Sequence, residues 1–350
     1  MNENKFLLVK GIAGLGNRML SALTGILYAK LSGRKLIIDW RDSIYSNDGS
    51  NAFNSYFQCS LVNPDENIPQ TDSVSPLIWS GHLRESALDM RLHYGNLYDR
   101  EDWKQFSIDL TRLDYEDDVV IMWTFIDRVD FMRCHFRGEF KEFEQISNKE
   151  ILRKLLREDL NLHPQIQQRV DNFASKFLSR KTLGVHVRYT DHRVRLRSII
   201  NMINKLLKLE SGLQIFLATD NIQIKKLFDE NYQNVITTEH WYPAPGLTIH
   251  QNPSCPDPLE NGKEALVDLY LLAKCDYLVI DTSSMFAYVA VLLTDSPNHK
   301  VFNINSRERG GKRSIHNLLL SWKLLLKLRL FSWEIWMISF IARLRRYLKI

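Results

Sequence analysis

Residues 5–39 read KFLLVKGIAGLGNRMLSALTGILYAKLSGRKLIID. Residues 5–10 form a short apolar run of strand type. A turn rich in glycine follows (Gly11, Gly14, Gly16), and residues 19–32 then carry small and apolar side chains on one helical face. Gly33 closes that helix, and residues 35–39 return to strand character. Strand, helix and strand joined this tightly make a βαβ unit, and βαβ units imply a parallel sheet.

Working outward, residues 41–75 hold Asn, Asp, Ser and Gly clusters without period and read as a long functional loop. Residues 118–125 are a further buried-type strand, and 148–178 hold one or two helices. The second half repeats the alternation. Strands are predicted at 182–188, 213–219, 234–238 and 277–281. Helices are predicted at about 195–209, 221–230 and 263–274, and from about 284, with a proline-rich loop at 240–262. The expected fold is α/β: two facing Rossmann-like domains with a cleft between them, plus a C-terminal helical tail. The expected domains are 1–165, 166–317 and a tail at 318–350. A chain of 350 residues is long for a single core, which fits that division.

Composition excludes several classes. A chain that is 45% hydrophobic and 25% charged is not of disordered type. Cys59, Cys134, Cys255 and Cys275 show no metal-ligand spacing and read as buried thiols of a reducing compartment. The first residues lack a secretion pattern, so a cytoplasmic protein is expected. The net charge is +5. Residues 318–350 carry Lys323, Lys327, Arg329, Arg343, Arg345, Arg346 and Lys349 against Glu334, a balance of +6 that leaves −1 for residues 1–317. The near-neutral body argues against nucleic acid as a partner. The tail adds Trp322, Trp333 and Trp336 to its basic residues. Its apolar runs are shorter than the ~20 residues a span needs. It is predicted to lie on an anionic membrane surface, on the cytoplasmic face, or to pack back on the body.

The chemistry concentrates at strand ends. Residues 184–192 read Gly-Val-His-Val-Arg-Tyr-Thr-Asp-His, an apolar strand that runs into a polar cluster. In α/β proteins ligands bind at the carboxyl ends of strands. Arg188 there offers a fork of donors suited to a diphosphate. His186 shares its strand face, Asp191 could orient Arg188 or meet an acceptor, and His192 could be a general base. Asp220 closes LQIFLATD, as a helix cap or a ligand contact. Asp268 sits in an apolar helix and needs a partner if buried. Asp281-Thr282-Ser283-Ser284 precedes a helix, where N–H groups and hydroxyls make an anion site or a plain cap. The turn at Gly14, Gly16, Asn17 and Arg18 invites a dinucleotide reading, with Asp39 in the place of a ribose-binding acid. Met19 fills the third glycine position and weakens it. The alternative is a loop whose N–H groups, with Asn17 or Arg18, face the cleft. No P-loop, GxSxG or HExxH pattern is present.

Together these motifs resemble the superfamily of α1,6-fucosyltransferases, NodZ-type nodulation fucosyltransferases and protein O-fucosyltransferases. The peptide from Gly184 to Asp191 looks like its central motif, Phe216-Leu-Ala-Thr-Asp220 like its second, and the stretch from Asp268 to Ser284 like its third. Residues 32–43 followed by Asn51-Ala-Phe are similar to the NodZ type. The resemblance runs from about residue 6 to 305. It implies a GT-B glycosyltransferase that moves fucose from GDP-fucose to a sugar hydroxyl, with inversion and without a metal cofactor. The membrane contact expected of the tail points to an envelope or lipid-linked oligosaccharide as the acceptor. The resemblance also implies donor contacts at His186, Arg188, Asp220, Asp268, Ser283 and Ser284, with Gly14, Gly16, Asn17 and Arg18 facing the cleft. Arg188 would stabilise the departing GDP, and Asp191 or His192 would take the acceptor proton. The chain departs from the α1,6 pattern at Tyr189, where a second arginine is usual, and at Asn221 and Met285. It also departs at His192-Arg-Val-Arg-Leu196, where a glutamate is usual. Competing expectations are another nucleotide-sugar donor, or a non-catalytic nucleotide- or glycan-binding protein at a membrane.

Overall fold

The computed structural model describes residues 5–96, 99, 101–190, 194–244 and 252–305. The chain divides into two compact units. The first is residues 1–167 with 257–263, and the second is 168–256 with 264–350. The tail at 318–350 lies outside the described residues, as do Asp191 and His192.

The first unit is built on a four-stranded sheet. Its strands are β1 (Phe6–Lys10), β2 (Lys35–Asp39), β3 (Val74–Ser75) and β4 (Val119–Met122), in the order β2-β1-β4-β3. Every pairing is parallel. The helix Leu15–Ser32 connects β1 to β2, as the opening stretch predicts. Gly33 ends it in the left-handed region (φ 71°), its N–H bonded to the Ala29 carbonyl. A Cβ on Gly25 of this helix would stand 2.3 Å from Val9 Cγ2, so the missing side chain lets the helix lie directly on β1.

This helix begins four residues earlier than the sequence indicates. The turn is confined to residues 11–14 because Ala13 takes a positive φ of 61°, a conformation uncommon for a residue with a Cβ. Gly16 therefore becomes part of the first helical turn. The stretch 41–75 is also more ordered than expected. It holds the short helix Phe53–Tyr56 and the strand Phe57–Gln58, which pairs antiparallel with Asn161–Leu162. Buried Tyr45 and Tyr56 tie it down, the Tyr56 hydroxyl donating to Tyr45 O at 2.9 Å.

The second unit carries a five-stranded sheet. Its strands are β5 (Thr182–Val187), β6 (Gln214–Thr219), β7 (Val235–Ile236), β8 (Tyr277–Ile280) and β9 (Val301–Asn303), in the order β9-β8-β5-β6-β7, all parallel. β5 is fully buried along its length, as expected of a parallel strand covered on both faces. Gly184 makes room for its neighbours, since a Cβ there would lie 2.9 Å from Leu278 and 3.0 Å from Cys275.

Two sequence expectations are corrected here. The helix after the proline-rich segment spans Pro258–Lys274 instead of 263–274. Its start is written in the sequence as Asp257-Pro258-Leu259-Glu260. The Asp257 carboxylate accepts the Glu260 N–H at 2.8 Å, and Pro258 occupies the first helical position, where its missing N–H costs nothing. Of the four cysteines, all free, only Cys59 and Cys275 are buried, while Cys134 is exposed. Among the described residues no helix is long and apolar enough to cross a membrane.

Candidate active site

Parallel pairing in register brings the ends of the second unit's strands to one edge. His186 lies beside Ala218 and Val187 beside Thr219, and Val185 pairs with Val279. The residues that follow these strands, 188–190, 220–221 and 281–284, therefore share the carboxyl edge, where α/β ligand sites form.

Arg188 is half-buried one residue beyond β5. The loop after it is held by Asp220, whose Oδ1 accepts the Tyr189 N–H at 2.7 Å and whose Oδ2 accepts the Thr190 hydroxyl. Asp220 is thus not the cap of the following helix. Asn221 does that, its Oδ1 accepting from Gln223 N and Ile224 N. The cap that the sequence offers to Asp220 belongs to its neighbour, and Asp220 anchors the segment carrying Arg188.

His186 is buried and its ring stacks on Phe286 at 5.1 Å. Burial, reinforced by the Arg188 charge and opposed by Asp281, pushes its pKa down to about 3. The imidazole is therefore neutral at physiological pH and can exchange hydrogen bonds but not carry charge. Its Nδ1 has no partner among the described residues. The hydroxyl of Ser284 is in the same condition. Ser284 precedes the helix Met285–Leu293 yet makes no side-chain cap bond. Two buried polar atoms without partners, one at a helix N-terminus, are costly unless something else satisfies them. Ser283 differs, because its N–H and hydroxyl both go to Asp281 Oδ1, which also accepts from Asn305 Nδ2. Asp281 thereby shapes the turn from which Ser284 projects.

Asp268 is buried, not on an exposed helix face, and has the partner that burial requires. Its Oδ1 accepts the Thr238 hydroxyl, and its Oδ2 lies 3.9 Å from His240 Nδ1. Burial raises the Asp268 pKa against the lowering influence of His240 and Thr238. His240 also reaches Thr219 O through Nε2 (3.1 Å) and packs on Tyr242 at 4.2 Å. The sequence reading missed Thr238 and His240. They follow a two-residue strand in an aperiodic stretch, so only pairing with β6 brings them to Asp268.

In the first unit, the turn residues are engaged internally. Gly14 precedes the helix in extended conformation, and Gly16 is buried in its first turn. Asn17 Nδ2 donates to Phe125 O at 2.6 Å. Arg18 is fully buried, paired with Asp42 and lying over the Tyr45 ring at 4.7 Å. Its Nη1 is without a partner among the described residues. Asp39 forms a buried pair with Lys10 Nζ at 2.7 Å and so does not stand open as a ribose-binding acid would.

Two parallel α/β units, the second carrying its polar residues at one sheet edge, make this an α/β protein of GT-B fold, and comparison with solved structures agrees. NodZ α-1,6-fucosyltransferase co-crystallised with GDP superposes with a TM-score of 0.58 at 22% identity, covering 84% of this chain and 93% of that one. A variant of Arabidopsis thaliana FUT1 in complex with GDP gives a TM-score of 0.52 at 19% identity, over 85% and 72%. The family model "Nodulation protein Z (NodZ)" matches residues 144–312. Nodulation protein Z of Bradyrhizobium diazoefficiens is 24% identical over 336 residues, covering 88% of this chain and 84% of its own. Nodulation protein Z of Azorhizobium caulinodans is 23% identical over 309 residues, covering 79% and 85%. These likenesses bear out the resemblance of this chain to the NodZ-type fucosyltransferase superfamily.

Proposed function

We propose that the chain is a glycosyltransferase that moves fucose from GDP-fucose to a sugar hydroxyl, the second unit holding the donor. The observation that carries this reading is the pair of unpartnered buried atoms, His186 Nδ1 and Ser284 Oγ, at the sheet edge that also bears Arg188. A nucleotide diphosphate supplies acceptors for such donors, and NodZ α-1,6-fucosyltransferase, which has this fold, is known co-crystallised with GDP and soaked with GDP-fucose.

In the proposed mechanism Arg188 neutralises the charge that develops on the β-phosphate as the sugar–phosphate bond breaks, without a metal. Asp220 keeps the Arg188 segment in place through Tyr189 and Thr190. His186, held neutral, and Ser284 bind the nucleotide, with Ser283 beside them. Asp268 meets the nucleoside through the oxygen facing His240. Gly14, Gly16, Asn17 and Arg18 act on the acceptor side only indirectly, by holding the turn after β1, Asn17 through Phe125 O and Arg18 through Asp42. The acceptor hydroxyl loses its proton to Asp191 or His192, which lie outside the described residues, and attacks the anomeric carbon from the opposite face. An oligosaccharide of the cell envelope, or one carried on a lipid, is the acceptor class, and the basic tail at 318–350 is its route to a membrane surface.

Thermal melting with a panel of nucleotides tests this reading. GDP and GDP-fucose should raise Tm, while UDP-sugars and NAD should not. Arg188→Ala should reduce GDP-fucose turnover at least a hundredfold, the scale of losing one transition-state donor (about 10²–10³). Unchanged turnover in that variant refutes the mechanism, and no shift with any guanine nucleotide refutes the donor.

A further inference from the structure

We infer that Asn303 and Asn305, where β9 ends, are positioning residues of the donor site. They hold the turn 281–284 so that the Ser284 hydroxyl and the first N–H groups of the helix Met285–Leu293 are set for the diphosphate before it binds. This inference rests on the reading of the second unit as the one that holds the donor.

The two asparagines stand two positions apart and so share one face of the strand end. Parallel pairing sets Asn303 level with Ile280, and the Ile304 N–H donates to Ile280 O at 2.9 Å. The chain beyond β9 therefore runs on beside the turn that follows β8. Asn303 uses both ends of its amide. Its Oδ1 accepts the Thr282 N–H at 3.3 Å and the Asn305 N–H at 3.2 Å, and its Nδ2 donates to Thr282 Oγ1 at 2.5 Å. Asn305 Nδ2 donates to Asp281 Oδ1. The same oxygen accepts the Ser283 N–H at 2.9 Å and the Ser283 hydroxyl at 2.6 Å. Three successive residues, Asp281, Thr282 and Ser283, are thus tied in place. The fourth, Ser284, keeps a buried hydroxyl without a partner among the described residues.

The brace matters to an anionic ligand in two ways. A turn fixed before binding reduces the entropy lost on association. The turn also contains a buried carboxylate, Asp281, which repels a diphosphate at close range. Asn305 and Ser283 aim donors at that carboxylate, so part of its charge is compensated inside the turn. An amide offers a donor and an acceptor at once and adds no charge. An aspartate in place of Asn305 would set a second negative charge against Asp281. Asn305 is exposed, so its side chain can be changed without opening the core.

Calorimetric titration of the full chain with GDP and with guanosine is the test. Asn305→Ala should weaken GDP binding about tenfold, the scale of losing one hydrogen bond to a charged group. Asn305→Asp should weaken it further, and Asn303→Ala should act in the same direction as Asn305→Ala. Guanosine lacks the diphosphate and should lose less than about twofold in each variant, whereas a general loosening of the fold would weaken both ligands alike. In a Ser284→Ala background Asn305→Ala should cost at most about threefold, because residues that act through one another are not additive. Parent affinity for GDP in both alanine variants, equal losses for GDP and guanosine, or full additivity with Ser284→Ala overturns this inference alone when the parent binds GDP. Absence of GDP binding to the parent overturns the donor reading, and this inference with it.

Discussion

Asp39→Asn should be among the most damaging conservative changes in the first unit. Lys10 Nζ donates to Asp39 Oδ2 at 2.7 Å, to Leu83 O at 2.7 Å and to Glu85 O at 2.8 Å, and both charged side chains are 1% exposed. Burial already lowers the Lys10 pKa from its ordinary value of 10.5, and Asp39 is the largest influence opposing that. The variant keeps the shape but leaves an ammonium without its counter-charge. Breaking a buried pair in this way costs about 3–5 kcal/mol. A ceiling exists, because the lysine can give up its proton instead. Discharging a lysine of pKa 10.5 at pH 7 costs about 5 kcal/mol. The expected loss of 3–5 kcal/mol corresponds to a Tm drop of at least about 6 °C for a unit of this size. The sign of the pH dependence follows. With the folded pKa of Lys10 depressed below its unfolded value, stability falls as pH falls through the folded value. The deficit of the variant relative to the parent should therefore be larger at pH 6 than at pH 9. Denaturant titration at the two pH values measures this. A deficit under 1 kcal/mol, or one independent of pH, would falsify the claim that the pair carries charge in the interior.

Two further predictions use the same structure. Gly25→Ala should destabilise by about 1–3 kcal/mol despite a gain of up to ~1 kcal/mol in helix propensity, because the new methyl meets Val9 at 2.3 Å inside the core; a melt at or above the parent's Tm refutes the close approach. Asp127→Asn should stabilise the protein at pH 7, and the advantage should fade as pH falls through the raised folded value and be gone by the ordinary carboxylate value of 3.8. Burial, then the Asp130 charge, raises the Asp127 pKa, so its ionised form is the disfavoured one. Melting curves of parent and variant from pH 3 to pH 8 decide it, and parallel curves refute it.

The parallel α/β character of both units was legible in the chain, because buried strands and amphipathic helices write their periods directly into sequence. The opening βαβ unit, β5 and β6 all fall where the apolar runs put them. The positions of Arg188, Asp220 and Ser284 after their strands were equally legible, since a strand end marks itself by the change from apolar to polar residues. Side-chain engagement was not. Arg18 and Asp39 look like ligand-facing groups in sequence, yet they close on Asp42 and Lys10 within the first unit. Thr238 and His240 carry no periodic signal and meet Asp268 only through sheet pairing across 28–30 positions of chain. Local pattern determines which residues can face a sheet edge, because it depends on neighbours a few positions away. Which polar groups satisfy each other, and which remain buried and unpartnered as His186 Nδ1 and Ser284 Oγ do, depends on contacts between distant segments. Only the tertiary structure decides that.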